Sequence, residues 1–188
     1  MNALVERLLR RYAVAQARDV APWIVGKRVL DLGAGEGFVT TALGRGVAVD
    51  VGPFRRAPTP YVVYDGRRLP FDDGSFDTTM LLLVLHHCAD PAAVLDEALR
   101  VTRQRLIVTE SVHRHRLDLA LLHLLDARFN RWRHDGRMPA PVAFRTSGEW
   151  EALFVARGLR LVTARWLGSR WERLVHHPRL YVLDRTAG

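Results

Sequence analysis

Cysteine, lysine and long apolar runs are all scarce in this sequence. Cys88 is the only cysteine, which excludes an internal disulfide and any zinc site built from cysteines. No stretch approaches the roughly 18 consecutive apolar residues that a membrane-spanning helix requires. Residues 1–20 alternate charged and apolar side chains, so they lack the uninterrupted apolar core of a signal peptide. We therefore expect a cytoplasmic protein.

Basic residues are numerous, but they are not gathered into one patch. The formal net charge is +8, and such a balance can indicate nucleic-acid binding. Lys27 is the only lysine, and the arginines that supply the rest of the positive charge occur in every segment. A uniform preference for arginine is more typical of genome composition or of adaptation to high temperature than of a binding surface. Nucleic acid is therefore kept only as the weaker alternative partner.

The pattern of apolar residues predicts one α/β domain over residues 1–188. Short apolar runs alternate with segments of helical periodicity, which is typical of βαβ units and a parallel sheet. The last two strands have no helix between them, so we expect them to pair antiparallel at one edge. The predicted parts are an N-terminal helix (3–18), a first half (29–109), a connecting segment (112–145), and a C-terminal helix and hairpin (146–185).

Helical spacing also predicts which faces of two helices are packed. In the N-terminal helix the apolar residues at this spacing are Leu4, Leu8, Tyr12 and Ala15. In a second helix, over residues 114–133, the apolar stripe consists of Leu117, Leu121, Leu124, Leu125, Phe129 and Trp132. We expect both stripes to cover the body of the domain.

Three glycines follow the first predicted strand at alternate positions, Gly33, Gly35 and Gly37. In a parallel sheet, ligands bind outside the carboxyl ends of the strands, and glycines there let a ligand lie against bare backbone. The spacing differs from the G-x-G-x-x-G of a dinucleotide-binding loop. Asp31 and Glu36 add negative charge, which suits a cationic or zwitterionic ligand better than a polyphosphate.

Two further acids end the next two predicted strands. Asp50, at the end of the second strand, can accept hydrogen bonds from both hydroxyls of a ribose. Asp65, at the end of the third, can accept one from an exocyclic amine. With the glycine loop, these acids describe a site for a nucleoside that carries a cationic tail.

These motifs together resemble the class I S-adenosylmethionine-dependent methyltransferases, specifically the methyltransferase type 11 family. The motifs lie in order along the chain: DLGAGEG (31–37), Asp50, DGRRLPF (65–71), GSFD (74–77) and VLHH (84–87). The resemblance implies a Rossmann-like, doubly wound sheet of seven strands, mostly parallel with an antiparallel last strand, and helices on both faces. It also implies S-adenosylmethionine as cofactor and S-adenosylhomocysteine as product.

The resemblance assigns cofactor contacts to residues at the ends of the first four strands. The backbone of Gly33, Ala34, Gly35 and Gly37 would pass beneath the methionine part of the cofactor, with Asp31 helping to place it. Asp50 and its neighbour Val51 would hold the ribose, Asp65 and Gly66 the adenine, and Leu82 and Leu83 would flank the cofactor.

The chain departs from the family after the second strand. A helix is usual there, but only Gly52 to Pro60 intervenes, and its three prolines allow no more than a turn. We expect this helix to be truncated and the gap to be covered by the N-terminal helix or by a second subunit. A homodimer contact near Phe54, Arg55 and Arg56 would cover this gap.

Candidate catalytic residues follow the fourth and fifth strands at the same edge of the sheet: His87 and His86, then Glu110, Ser111 and His113. Each can act as an acid, a base or a polar contact for a reacting group. As an alternative, His86 or His87 caps the helix that begins at Asp90 and Pro91, or packs against that helix start. We expect no metal site, because the pairs His113-x-His115 and His176-His177 lack a third ligand at a defined spacing.

Segment 112–145 matches the family least, so we predict that it is a substrate lid, although an ordinary crossover helix would give the same pattern. The favoured function is methyl transfer to an O, N or C nucleophile of a small molecule. An RNA or protein methyltransferase is the alternative, but the fourth strand ends LLLVLHH and lacks the Asn/Asp-Pro-Pro-aromatic signature of base-amine methylation. A non-catalytic S-adenosylmethionine-binding protein is the third possibility.

Overall fold

A computed structural model describes residues 3–134, 143–168 and 177–186. The strands are β1 Val29–Leu32, β2 Val47–Asp50, β3 Tyr61–Val63, β4 Phe76–Leu82, β5 Thr102–Ser111, β6 Leu159–Trp166 and β7 Pro178–Arg185. They form one seven-stranded sheet in the order β3-β2-β1-β4-β5-β7-β6. Neighbours from β3 to β5 are parallel, while β7 runs antiparallel to both β5 and β6. The expected Rossmann-like sheet with an antiparallel last strand is confirmed.

Within these described ranges, five α-helices surround the sheet: α1 Ala3–Val20, α2 Phe38–Leu43, α3 Pro91–Val101, α4 Arg116–His134 and α5 Ser147–Val155. Successive residues of β5 point to opposite faces, as the pleat requires. Leu106 belongs to the core cluster that contains Leu95 of α3 and Trp150 of α5. Its neighbour Ile107 belongs to a second cluster that contains Val20 at the end of α1. The sheet is therefore covered on both faces. None of the helices described is long and apolar enough to cross a membrane.

Residues 51–60, all within the described part of the chain, contain no helix, so the truncation after β2 is confirmed. The N-terminal helix covers this region, which is one of the two covers expected from the sequence; the other was a second subunit. Leu9 and Ala13 of α1 form a buried cluster with Phe38 of α2 and with Ala57 of the short connection. This packing fills part of the space that a full helix would occupy.

The predicted face of α1 was wrong, and so was that of α4 as far as Leu124. Leu125 of the predicted α4 stripe is half-buried, and the side chains of Phe129 and Trp132 lie outside the described part of the chain. In α1, Leu4 is 62% exposed and Leu8 is 55% exposed, while Leu9 and Ala13 are buried. The buried face is displaced by one residue, because small alanines on that side let α1 approach α2 and the connection closely.

The same displacement occurs in α4. Leu117 is 84% exposed and Leu124 is 63% exposed, whereas Leu122 is buried. Asp118 and Asp126 lie one turn on either side of Leu122 and meet histidines of the domain body. Ion pairs as well as the burial of apolar side chains therefore determine which face of α4 turns inward. The pattern of apolar residues in the sequence contains no information about these ion pairs.

Helix starts are determined by side-chain caps. The Asp90 carboxylate accepts hydrogen bonds from the backbone N–H groups of Ala92 and Ala93 at the start of α3. The alternative in which a histidine caps α3 is therefore wrong. At α5, Thr146 and Glu149 form a reciprocal capping box.

Candidate active site

The glycine loop after β1 has a backbone that only glycine adopts without strain. Gly33, Gly35 and Gly37 have φ angles of 77°, 53° and 78°, in the left-handed region. A Cβ on Gly33 would lie 2.5 Å from Val84 Cγ2, and one on Gly37 would lie 2.8 Å from Thr59 Cγ2. The loop is thus packed closely against the residues that follow β4 and those that precede β3.

Asp50 ties this loop to the end of β2. One carboxylate oxygen accepts a hydrogen bond from Gly35 N–H and the other from Val51 N–H, each at 2.7 Å. Burial raises the pKa of Asp50, although these backbone N–H groups partly oppose the rise. The Tyr61 hydroxyl donates a hydrogen bond to the Gly35 carbonyl at 2.9 Å. A carboxylate oxygen can accept more than one hydrogen bond, so Asp50 retains capacity for ligand hydroxyls.

Asp31 lies beneath the loop and bonds to α2. Its side chain is buried and accepts a hydrogen bond from the Thr40 hydroxyl at 2.6 Å. Burial raises the pKa of Asp31 to about 6. The structure thus places this acid below the backbone of the glycine loop.

Asp65 and Gly66 follow β3 at the surface. Asp65 Oδ1 accepts hydrogen bonds from the backbone N–H groups of Arg67 and Arg68, which lower the pKa of this exposed acid. Gly66 has a φ of 77°, and a Cβ there would lie 3.3 Å from Val51 Cγ1. Both predicted adenine contacts therefore lie beside Val51, at the edge where β2 ends.

Leu82 ends β4, and Leu83 follows it in an unusual conformation. Leu83 has a φ of 62°, which makes it the one non-glycine residue with positive φ in the described ranges. Its N–H donates to the Thr109 carbonyl of β5 at 2.8 Å. Such strain persists where the surrounding structure enforces it, and it is concentrated at functional sites.

His86 and Glu110 form a buried pair where β4 and β5 end. His86 lies in the 3-10 turn Leu85–His87, and its Nδ1 is 2.5 Å from Glu110 Oε2. The other Glu110 oxygen accepts from Leu85 N–H at 2.7 Å. Since a carboxylate only accepts, Nδ1 carries the proton. Burial lowers the pKa of His86, but the attraction of Glu110 and Asp126 outweighs it, and the pKa is raised to about 9.

Asp126 is the residue of this cluster that sequence reasoning missed. Its Oδ1 lies 3.8 Å from His86 Nε2 and 3.7 Å from His87 Nε2. One ligand atom from each of these three side chains lies within 4.8 Å of the other two. No sequence signal pointed to it, because Leu122, which is buried one turn earlier on the same face of α4, was not part of the predicted apolar stripe.

His113 is not part of this cluster. Its N–H donates to the Arg145 carbonyl at 3.3 Å, and its charge acts on Glu149 at the start of α5. Ser111 is buried at the end of β5. The structure therefore brings together His86, His87 and Glu110 of the predicted catalytic residues.

The described ends of segment 112–145 lie against His86. Val112 and Arg145 form a bridge that joins the two ends of the segment. Ala143 N–H donates to the His86 carbonyl at 2.8 Å, and the Phe144 ring stacks on the His86 ring at 4.9 Å between centroids. The pair of His86 and Glu110 is thus shielded from water on this side.

The cluster and the loop lie at one edge of the sheet. Val84, which a Cβ on Gly33 would strike, directly precedes the turn that carries His86 and His87. Burial raises the pKa of the Cys88 thiol to about 11, with further contributions from Glu110 and Asp50. Cys88 is therefore close enough to both carboxylates for their charges to raise the pKa of its thiol.

Comparison with known proteins gives matches over the same region. A family profile described as "Methyltransferase domain" matches residues 30–107. A demethylmenaquinone methyltransferase from Beutenbergia cavernae is 39% identical over 120 residues, which cover 56% of this chain and 48% of that protein. The chain spans about half the length of the relatives of this kind that it matches.

Solved structures match over nearly the whole chain at low identity. The magnesium protoporphyrin IX methyltransferase from Synechocystis PCC 6803, with bound SAH, has a TM-score of 0.62 and 15% identity, covering 99% of this chain and 89% of that one. The cyclase SpnF has a TM-score of 0.70 and 16% identity, covering 93% and 81%. At such identities the likeness establishes the fold.

Proposed function

Because the chain carries a class I S-adenosylmethionine-dependent methyltransferase domain, we propose that it transfers a methyl group from this cofactor to a small-molecule acceptor. When bound, the cofactor supplies a methyl group on a positively charged sulfur. The protein's own part is to hold the two reactants in line and to exclude water.

The observation that carries the proposal is the glycine loop held by Asp50. Val84 packs directly on Gly33 and Thr59 on Gly37, which fixes the bare backbone of the loop at the carboxyl end of β1, where ligands bind in sheets of this kind. Asp50 is 4% exposed and has two oxygens with remaining capacity to accept hydrogen bonds. These residues suit a ribose at Asp50 and a zwitterionic tail along the loop, as S-adenosylmethionine requires.

His86 and His87 supply polar groups in the turn that follows Val84, which packs on this loop. A nucleophile that arrives protonated needs a group that accepts its proton, and the Nε2 atom of His87 can do so in the neutral form. The pKa of His86 is raised to about 9, so its protonated ring serves as a hydrogen-bond donor. Glu110 is fully buried behind His86, so it acts as a positioning residue that holds the His86 ring and its tautomer. The proposed function gives His113 and Ser111 no role in proton transfer or in positioning His86.

Segment 112–145 would act as the substrate lid, because its described ends already cover His86. Enclosure of this kind favours a small acceptor over RNA or protein. A quinone-like ring is the first acceptor to screen, since several matched relatives are named demethylmenaquinone methyltransferases. The exposed leucines of α4, Leu117 and Leu124, suit an acceptor that carries an apolar chain.

The homodimer near Phe54, Arg55 and Arg56 stays a prediction. Light scattering at high protein concentration tests it, and a monomer would contradict it. The packing of α1 on Ala57 removes part of the reason for expecting it.

Calorimetric titration with S-adenosylmethionine and S-adenosylhomocysteine tests the function. We expect micromolar binding to the wild-type chain and a weakening of about 1 to 3 kcal/mol in Asp50→Ala, the size of lost hydrogen bonds to a charged acceptor. Asp118→Asn removes a carboxylate from α4 away from the loop and is the matched control. Absence of binding by folded wild-type protein would contradict the proposed function, and it would contradict a non-catalytic S-adenosylmethionine-binding protein as well.

A further inference from the structure

Two histidines and one acid converge from separate elements beside the glycine loop. His86 and His87 lie in the turn after β4, and Asp126 comes from α4, about 40 positions further along the chain. Their ligand atoms all lie within 4.8 Å of one another. Adjacent positions along a short turn do not by themselves place both rings toward one acid, so the convergence needs a physical reason.

The separations suit an ion held between the side chains. Asp126 Oδ1 is 3.7 Å and 3.8 Å from the two Nε2 atoms, which is longer than an N–H···O hydrogen bond. Two ligands at about 2.1 Å from one metal, at a tetrahedral angle, are roughly 3.4 Å apart. Each separation between Asp126 and a histidine exceeds this value by only a few tenths of an ångström, and all three ligand atoms lie within 4.8 Å of one another.

Glu110 provides the support that a metal-binding histidine needs. Ligand histidines usually donate their second ring N–H to a carboxylate, which sets the tautomer and directs the other nitrogen to the metal. Glu110 lies 2.5 Å from His86 Nδ1 and is itself held by Leu85 N–H. His86 Nε2 is thereby directed toward Asp126.

We propose that His86, His87 and Asp126 bind one divalent transition-metal ion of the zinc type. Two imidazoles with one carboxylate are a donor set that suits zinc and its neighbours, and three protein ligands leave a coordination position open. Magnesium prefers oxygen ligands and is not expected to compete. The linear spacing of the sequence gave no sign of this site, because its third ligand lies on a helix whose inward face was mispredicted.

The role of the ion rests on the proposed function, whereas its binding does not. With the ion bound, both Nε2 atoms are ligands and do not accept a proton, so an acceptor hydroxyl at the open position would lose its proton to water and keep its electron pair on oxygen. The acceptor class would then be a molecule with a hydroxyl or enol oxygen close to the methylated atom. Val84 connects this position to the glycine loop, so acceptor and cofactor sites are adjacent.

Zinc titration of tag-free, EDTA-treated protein tests the site directly. We expect one zinc ion per chain in the wild type, and X-ray absorption with about two nitrogen ligands at 2.0–2.1 Å and at least one oxygen. His87→Ala and Asp126→Ala should each weaken zinc binding by about 100-fold or more. Glu110→Gln should weaken it by about 10- to 100-fold, as is usual for a carboxylate behind a ligand histidine.

The control is Asp118→Asn, which removes an acid that also faces a histidine from the same side of α4. It should bind zinc as the wild type does. Circular dichroism confirms that each variant is folded, and His87→Ala, at a partly exposed position, tests the site if a change at buried His86 prevents folding. The proposal is overturned if zinc does not bind, or if His87→Ala and Asp126→Ala bind it unchanged. Titration with S-adenosylmethionine on the same samples separates that failure from failure of the proposed function.

Discussion

Gly33→Ala tests the packing that joins the glycine loop to the histidine turn. The new Cβ would lie 2.5 Å and 2.7 Å from the two methyl groups of Val84, in a residue whose φ is 77°. An L side chain in the left-handed region costs about 1 to 2 kcal/mol, and overpacking costs about 1 to 3 kcal/mol more. We expect the free energy of unfolding in urea to fall by roughly 2 to 5 kcal/mol.

Gly44→Ala is the matched control for this experiment. Gly44 has a φ of 68°, but a Cβ there meets nothing within 4 Å, so the substitution carries only the backbone strain of about 1 to 2 kcal/mol. Combining Gly33→Ala with Val84→Ala should recover part of the loss, measured as a coupling energy in a double-mutant cycle. Equal losses in Gly33→Ala and Gly44→Ala, with no coupling to Val84, would refute the reasoning.

Three further predictions follow from buried charge and from a helix cap. Burial raises the pKa of Asp31 to about 6, so its ionised form lowers stability above that pH and the loss disappears as the pH falls toward 4. Asp31→Asn should therefore raise the free energy of unfolding by roughly 1 to 3 kcal/mol near pH 7.5 and by less near pH 4, and an equal gain at both pH values would contradict this. Burial lowers the His86 pKa, and Glu110 together with Asp126 raises it to about 9, so Glu110→Gln in metal-free protein should lower the NMR titration midpoint of His86; a midpoint still near 9 would show that another group holds the proton. Thr146→Ala should destabilise the chain by about 1 kcal/mol because it removes the cap of α5. Gly148→Ala, whose Cβ meets nothing within 4 Å, should stabilise the chain by about 0.5 to 1 kcal/mol. If thermal or urea unfolding shows both variants shifted in the same direction, that result would count against the capping box.

The sheet could be predicted from sequence because its signals are local. The run Val29–Leu32 is buried along its whole length and is apolar apart from Asp31, since both faces of a central parallel strand are covered. The prolines between Gly52 and Pro60 excluded a helix for a reason that acts within the chain itself. Each of these features depends on residues that are close in sequence.

The helix faces could not be predicted because they depend on distant partners. In the first part of α4, Leu117, Leu121 and Leu124 of the predicted apolar stripe are exposed. The helix instead turns Asp118 and Asp126 inward, toward His177 and toward the pair His86 and His87. Periodicity counts apolar residues on one helix and contains no information about histidines elsewhere. The candidate site was incomplete for the same reason, since Asp126 joins it only in the folded chain.

Diffraction from crystals grown with S-adenosylhomocysteine tests the central claim most directly. The account predicts the ligand along the backbone from Gly33 to Gly37, with its ribose hydroxyls at hydrogen-bond distance from Asp50 and its sulfur toward His86 and His87. Ligand bound elsewhere on the chain, or a glycine loop of the described conformation that binds none at saturating concentration, would contradict it.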